Sequence, residues 1–573
     1  MGRVMKVSVS FRTAILAITT GTLAACASAG GAASQQPASV QIAVPQIHHP
    51  DGQSAQWWFR EGAAEAASRG AMRGHAKNLI LFVGDGMSLA TVAAARIYEG
   101  QLQGQSGEEH RLAWENFPDT ALSRTYNTDY QTPDSAGTMS AMATGAKTRM
   151  GVLSIGQQAA RNNCKAALGA QLLTLWELAA SSGMATGVVT TTRVTHATPG
   201  ATFSHSANRN WENDTDLPAA AREAGCIDIA RQMVESPFGN GPDVLMGGGR
   251  REFMPNTTHD PEYPDQAGSR GDGRDLISEW QARHPGGEYV WNTTQLQSAS
   301  NDGALLGLFE PDHMHFEHDR PTDGAGEPSL KEMTQAAIAR LSKNANGYVL
   351  LVEGGRIDHA NHYGNAYRAL TDTIALSDAV RAATEATSAD DTLILVTADH
   401  SHTLTFVGYP ARGNPILGKV RGIGEEDAGD SEYALDGTGK PFTTLVYANG
   451  PGNTGASDSQ PAGPKTFPHR GKGYKPVQGR PDLTNVDTTA PDYMQESLVP
   501  LGNESHGGDD VGIWAIGPGS DAVRGSVEEN AVFHFLLQAT PRLRAALCAK
   551  GDCDPNGVPA VLPTPGDFEG SGK

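Results

Sequence analysis

Four short apolar runs, each followed closely by acidic or histidine residues, constrain what this chain can fold into more than any other feature. They are Asn78–Val83, Ala185–Thr190, Gly347–Val352 and Thr392–Thr397, and they lack the polar alternation of a strand with one wet face. Such runs read as parallel strands buried on both faces. Helical patterns lie between them. Ser329-Leu-Lys-Glu332 forms a capping box ahead of Met333, Ala337, Ile338 and Leu341 at three-to-four spacing, and Asn346-Gly347 stops that helix before the third run. The segment from Leu172 to Ala180 plays the same part before Gly183 and the second run. This βα repetition predicts an α/β fold, a large, mostly parallel sheet covered by helices on both faces.

The chain opens with an export address. Arg3, Lys6 and Arg12 precede the apolar run Ala14–Ile18, which is too short to span a bilayer. The run leads to Leu23-Ala24-Ala25-Cys26, similar to the lipobox of bacterial lipoproteins, where cleavage leaves a lipidated cysteine at the new N-terminus. Cleavage at a nearby small residue is the alternative, and both routes export the protein. Residues 1–25 are thus read as signal peptide, Cys26 as the lipidation site, and 26–52 as a flexible linker. Segment 53–76 forms an arm outside the sheet, whose Trp57-Trp58-Phe59 suits packing on a second subunit or on its own body. The core spans 77–410, a Gly/Pro/Asp/Ser-rich insertion at 411–502 forms a smaller crown-like subdomain above the sheet, and 503–554 returns to the core. Residues 555–573 read as a flexible tail. No later stretch approaches the ~20 apolar residues of a membrane span, so membrane contact is expected only through the N-terminal lipid, at a periplasmic or cell-surface location.

Charge narrows the partners. Lys+Arg 44 against Asp+Glu 64 gives −20, the wrong sign for neutralising a nucleic-acid backbone. Without Cys26, four cysteines remain, Cys164, Cys226, Cys548 and Cys553, with three possible connectivities in an oxidising compartment. Cys548 and Cys553 are close enough for a local loop, which leaves Cys164 with Cys226.

The chemistry gathers where strands end. The first run ends in Gly84-Asp85-Gly86, the third in Glu353-Gly-Gly-Arg-Ile-Asp358-His359-Ala-Asn-His362, and the fourth in Ala398-Asp399-His400-Ser401-His402. Ligands of open α/β sheets bind at the carboxyl ends of the strands, so these groups converge. Histidine and carboxylate without thiolate are what catalytic zinc takes, and all-oxygen sets suit magnesium. Asp358 and His362, four residues apart, share one face of a helical turn. The nucleophile candidate is Ser135, in Thr132-Pro-Asp-Ser135-Ala-Gly-Thr138, where a helix N-terminus favours an anion. No Gly-x-Ser-x-Gly elbow surrounds it and no histidine is paired with it in sequence, so metal activation is expected in place of a triad.

These motifs, with Thr190-Thr-Thr-Arg-Val-Thr-His196-Ala-Thr198-Pro and His205-Ser-Ala-Asn-Arg209-Asn-Trp211, resemble those of alkaline phosphatases, most closely the animal-type branch, from about Trp57 to Cys553. The resemblance implies a phosphate-monoester hydrolase of broad substrate range with a phosphoserine at Ser135 and Arg209 as the phosphate clamp. It implies one zinc on Asp358, His362 and His506, and a second on Asp85, Asp399 and His400. A magnesium would sit on Asp85, Thr198 and Glu353, with His196, His359 and His402 as supporting residues around the metals and the phosphate. A calcium site is implied at Glu262, the Phe309 carbonyl and Glu310, with Glu327 at a position where the family has an aspartate. A homodimer is implied as well. A phosphodiesterase or sulfatase on the same scaffold is the rival reading, and Arg209 favours the monoester.

Overall fold

The four apolar runs become adjacent strands at the centre of a ten-stranded sheet in the computed structural model, which describes residues 40–49, 52–422, 432–477 and 479–570. The leader and Cys26 lie outside the described residues. In chain order the strands are β1 (Asn78–Gly84), β2 (Asp119–Arg124), β3 (Ala185–Arg193), β4 (Val244–Gly248), β5 (Glu288–Val290), β6 (Leu305–Leu308), β7 (Tyr348–Gly354) and β8 (Thr392–Ala398). Short strands follow: β9 (Ser401–His402), β10 (Leu404–Phe406), β11 (Leu445–Gly450), β12 (Lys465–Thr466), β13 (Tyr493–Met494), β14 (Ser497–Pro500) and β15 (His506–Gly507). β16 (Val511–Ile516) and β17 (Gly525–Glu528) complete the set. The large sheet has the order β17-β2-β16-β8-β1-β7-β3-β4-β6-β5, and β16 alone runs antiparallel to its neighbours.

A parallel centre needs both faces covered, and β1 shows how this is done. Leu79, Leu81 and Val83 enter one core with helices Leu175–Ser181 and Ala531–Ala539. Ile80 and Phe82 enter the opposite core with helices Leu89–Leu102, Leu330–Leu341 and Ala366–Ala386. Each such side chain contributes about 1.5–3 kcal/mol when fully buried, so a one-residue slip would be costly on both sides. Helix Leu330–Leu341 begins with the Ser329/Glu332 capping box. The helix expected from Leu172 instead starts at Leu175, because Thr174 and Glu177 form a capping box of their own.

The register decides where the chemistry emerges. Gly84 pairs with Gly354 on one side and Ala398 on the other, so Asp85 and Asp399 leave the sheet side by side. Among the described residues, 411–502 contributes nothing to the large sheet; it builds β11 and β14, which join β10, and the pair β12–β13. At the base of this excursion β9 pairs antiparallel with β15, setting His402 opposite His506. The pairing returns His506 to the strand ends after a hundred residues of intervening chain.

Two terminal segments pack against the body. Trp58 and Phe59, on helix Ala55–Arg69, are 1% and 0% exposed against their own chain, and the Trp57 indole N–H donates to the Pro45 carbonyl at 2.8 Å. The segment expected to be a flexible tail is corrected through residue 570. Val558, Ala560 and Phe568 are buried, and the Phe568 carbonyl accepts from Ser181 Oγ at 2.9 Å. Apolar residues spaced between its prolines give it something to bury, which composition alone concealed. The disulfides are Cys164–Cys226 and Cys548–Cys553. No helix among the described residues is long and apolar enough to cross a membrane.

Candidate active site

Ser135 opens helix Ser135–Thr144, but it does not cap it. Asp134 is the N-cap, and its Oδ1 accepts the Gly137 and Gly151 N–H groups at 3.1 and 3.0 Å. The serine hydroxyl is thereby left free of the capping role and points at two groups from other strand ends. Its Oγ lies 3.1 Å from His400 Nε2 and 3.4 Å from Asp85 Oδ1. The histidine neighbour, not visible in the sequence, arrives from the end of β8, 265 residues away. Gly86 makes room for this convergence: its φ is +67°, its N–H donates to Asp399 Oδ1 at 3.0 Å, and a Cβ there would stand 2.3 Å from the His402 ring.

The candidate ligands fall into two compact triads. His400 Nε2 is 3.4 Å from both Asp85 Oδ1 and Asp399 Oδ2. In the other triad, His362 Nε2 and His506 Nε2 are 3.1 Å apart and stand 3.3 and 3.4 Å from Asp358 Oδ1. A tetrahedral ion with ligand bonds of about 2.0–2.1 Å has edges of about 3.3 Å, which the two His400 separations of the first triad and all three separations of the second match. Ser135 Oγ lies at the distance of a fourth vertex from His400 and Asp85.

The second nitrogen of each histidine agrees. His362 Nδ1 lies 2.6 Å from the Glu504 carbonyl, and His506 Nδ1 lies 2.7 Å from the Pro133 carbonyl. Protonated Nδ1 atoms donating to these carbonyls leave both Nε2 lone pairs directed into the triad. Two imidazole lone pairs facing one carboxylate oxygen are a set that a cation completes.

A third group forms between Asp85, Glu353 and His196. Thr190 Oγ1 and, at 3.3 Å, Thr192 Oγ1 donate to Glu353 Oε2. Glu353 Oε1, Asp85 Oδ2, Thr198 Oγ1 and His196 Nδ1 are buried without hydrogen-bond partners. Orphaned buried polar atoms are costly, and a bound cation would satisfy the oxygens. Burial, followed by the neighbouring carboxylates Asp399, Asp358 and Glu353, holds Asp85 well above the usual carboxylate range. Glu353 is pushed up to about 7, mainly by burial, against the hydrogen bond from Thr190. Crowded acids of this kind are what a metal relieves.

Arg209 faces the same space. Its Nη1 donates to Asp134 Oδ2 at 3.1 Å and its Nη2 to His196 Nε2 at 3.0 Å. Asp134 therefore joins the helix cap to the guanidinium. Burial alone would raise Asp134, but Arg209 and the Gly151 and Gly137 N–H groups hold it below the usual range. His359 lies beside His196, ring centroids 5.6 Å apart. His402 Nε2 contacts Asp358 Oδ1 at 2.7 Å, and its Nδ1 bonds Glu504. Burial lowers the His402 pKa, but Glu504 and Asp358 outweigh it and push it up to about 10. Sequence reading missed Glu504, Asp134 and His313; only the first two carried a signal, being neighbours of His506 and Ser135.

The residues expected to hold calcium form a separate acidic cluster. Burial and then Glu327 and Glu262 push Glu310 up to about 8, and burial and Asp323 push Glu262 to about 7. Glu327 is already engaged, accepting the His315 N–H at 3.0 Å, whereas both Asp323 carboxylate oxygens are buried without a hydrogen-bond partner.

Comparison with known proteins places the chain in one family. Residues 76–541 match the family model described as alkaline phosphatase. The chain belongs to the alkaline phosphatase family. It is 44% identical over 475 residues to the tissue-nonspecific isozyme of Gallus gallus, covering 81% of this chain and 84% of that protein. The Thermus thermophilus alkaline phosphatase structure matches 82% of this chain and 92% of its own, with a TM-score of 0.57 and 27% identity. The enzyme from the Antarctic bacterium TAB5 shares the fold, with a TM-score of 0.53 at 21% identity over 82% of this chain and 99% of its own. As a member of the family, the protein is a metal-dependent phosphate-monoester hydrolase.

Proposed function

We propose that Ser135 is the nucleophile and Arg209 the phosphate clamp of this hydrolase, with zinc on Asp358, His362 and His506 and on Asp85, Asp399 and His400, and magnesium on Asp85, Thr198 and Glu353. The observation that carries the reading is the free Ser135 hydroxyl at the open vertex of one triad, with Arg209 facing the same space. Metals in these sites supply positive charge to the oxygens that gain negative charge as the phosphoryl group transfers.

The chain's own groups do the rest. The helix N-terminus at Ser135 favours the alkoxide. The Arg209 fork, oriented by Asp134 and His196, matches two non-bridging phosphate oxygens. Ser135 Oγ bonds to phosphorus as the ester oxygen leaves from the opposite side and takes up a proton as the alcohol. Water then displaces the serine, releasing phosphate. Two in-line displacements give net retention at phosphorus. Because the grip is on the phosphoryl group, alcohols of many shapes are accepted.

In the second cluster, calcium takes Glu262, the Phe309 carbonyl, Glu310 and Glu327, with Asp323 as a further carboxylate beside Glu262. The exported, lipid-anchored state rests on the sequence before Cys26 and is consistent with two disulfides. A homodimer is supported by edge strand β14, where Leu498, Val499 and nearby Leu501 are 82%, 48% and 41% exposed. Sedimentation analysis of the purified protein tests it.

The decisive assay compares an aryl phosphate monoester, a diester and a sulfate ester at about pH 9–10 with zinc and magnesium, before and after chelation. Preferred, chelator-sensitive monoester turnover is expected; preference for the diester or sulfate would overturn the reading. Arg209→Lys, which keeps the charge and loses the fork, should lower kcat/KM by about 10- to 100-fold.

A further inference from the structure

Building on Arg209 as the phosphate clamp, we propose that His313 is a positioning residue for that clamp, acting through Arg193 and His196. His313 follows β6 and belongs to none of the metal triads. Both of its ring nitrogens face one residue, Arg193 at the end of β3. The Arg193 backbone N–H donates to Nδ1 at 3.1 Å, and its Nη1 lies 2.7 Å from Nε2. A doubly protonated ring would set N–H against N–H at both contacts, whereas a neutral imidazole has one lone pair and accepts at one of them; with the lone pair on Nδ1, it is the backbone N–H of Arg193 that the ring accepts, and the guanidinium packs against the Nε2 edge.

Two routes lead from this ring to Arg209. The first is polar. Arg193 Nη1 also donates to Asp312 Oδ1 at 2.5 Å, while its Nε and Nη2 grip Glu212 Oε2 and Oε1 at 2.8 and 2.6 Å. Glu212 Oε2 accepts from Thr195 Oγ1 at 2.6 Å as well. One guanidinium thus ties the 312–313 turn to the end of β3 and to the segment that carries Arg209, three residues before Glu212. The second route is through ring packing. The His313 ring lies 4.3 Å from that of His359 and 5.3 Å from that of His196. His196 in turn accepts from Arg209 Nη2 at 3.0 Å. Removing the His313 ring opens space into which His196 can turn, and frees Arg193 from one of its anchors.

The three histidines could be taken for a metal site, since their nitrogens lie within 4.8 Å of one another. Their lone pairs argue otherwise. Arg209 faces His196, Arg193 faces His313, and Arg356 Nη1 faces His359 Nδ1 at 2.9 Å. The three arginines occupy these lone pairs, through the backbone N–H of Arg193 and the guanidinium groups of Arg209 and Arg356, and their charges repel a further cation. The cluster suits the rim of a phosphate pocket, where fixed positive charge must be held in place before substrate arrives.

The test uses the zinc- and magnesium-loaded enzyme, an aryl phosphate as substrate and inorganic phosphate as inhibitor. His313→Ala is expected to raise KM and the Ki of phosphate about tenfold each, with kcat changing less than about threefold. His313→Asn places an amide oxygen where Nδ1 accepted the Arg193 N–H and should restore most of the loss; His313→Gln, which reaches toward the Nε2 position, should not. In an Arg209→Ala background, His313→Ala should change Ki no further, because the residue acts through the missing clamp. Unchanged KM and Ki in His313→Ala, or an equal effect with and without Arg209, would overturn the inference. If the alanine variant does not fold, indistinguishable Ki values for the Asn variant, the Gln variant and wild type overturn it. Failure of the underlying reading shows separately, as an Arg209→Ala enzyme that binds phosphate like wild type.

Discussion

Ser135→Ala is expected to reduce monoester hydrolysis by about 10³-fold or more and to abolish the phosphoenzyme trapped by acid quench. The expectation rests on what the hydroxyl does and does not do in the fold. It caps nothing, because Asp134 takes that role, so its loss removes no helix-capping bond. The side chain is 1% exposed, and its Oγ contacts are with His400 and Asp85. The variant should therefore keep the thermal stability of wild type within about 1 kcal/mol and still bind phosphate through Arg209. An unfolded variant would mean that the serine is structural, and a variant with near wild-type turnover would remove the phosphoserine route. A serine acting as an ordinary cap would show only a modest stability loss and no such collapse in rate.

Stripping the metals should make stability fall as pH rises above neutrality, and restoring zinc and magnesium should cancel the fall. Glu353 illustrates the sign. Its folded-state pKa is raised from 4.5 to about 7, so the folded state holds the proton more tightly. The associated stabilisation is fully present below about pH 4.5 and is lost as pH rises through about 7, on the order of 3 kcal/mol for a shift of this size. Asp85 and Asp399 shift in the same direction through burial and neighbouring carboxylates, and Glu310 is pushed to about 8 in the acidic cluster. Below about pH 6.5 the buried histidines oppose this trend. His196, His359 and His400 are held well below the imidazole range, mainly by burial, so they gain stability as pH rises toward the unfolded value. Between pH 6.5 and 8.5 the carboxylate loss remains, joined by a loss of the same sign from His402, which Glu504 and Asp358 push up to about 10. The melting temperature of the metal-free protein should fall by about 5 °C or more across that window, while the loaded protein holds steady. A metal-free protein whose melting temperature is flat or rising there would show that these carboxylates are not crowded as described.

Much of this site can be read from the chain because its groups lie just past strand ends. Asp85, Glu353, Asp399 and His400 end or follow apolar runs that can only be buried parallel strands, and parallel strands of similar length deliver their C-terminal ends to one level. Asp358 and His362 are legible from helical spacing. Glu504 and His313 are different. Glu504 meets His402 across 102 residues, and His313 meets Arg193 across 120. No local pattern marks His313 as a partner, and Glu504 shows in the chain only as a neighbour of His506. Asp323 and Glu327 show the same limit: four residues apart in one irregular stretch, they differ in which has its oxygens already occupied.

The sequence by itself determined the sheet, the helices on both faces, the close spacing of Cys548 and Cys553 and the residue types gathered at the strand ends, because burial period, caps and short loops are local in the chain. Only the tertiary structure decided that Ser135 is free of capping, that β9 and β15 return His506 to Asp358 and His362, that the C-terminal segment packs through residue 570, and that Arg209 is held between Asp134 and His196. Those outcomes depend on which side chains have their hydrogen bonds and buried surface satisfied by residues far away in the chain, and that accounting closes only when the whole fold is assembled.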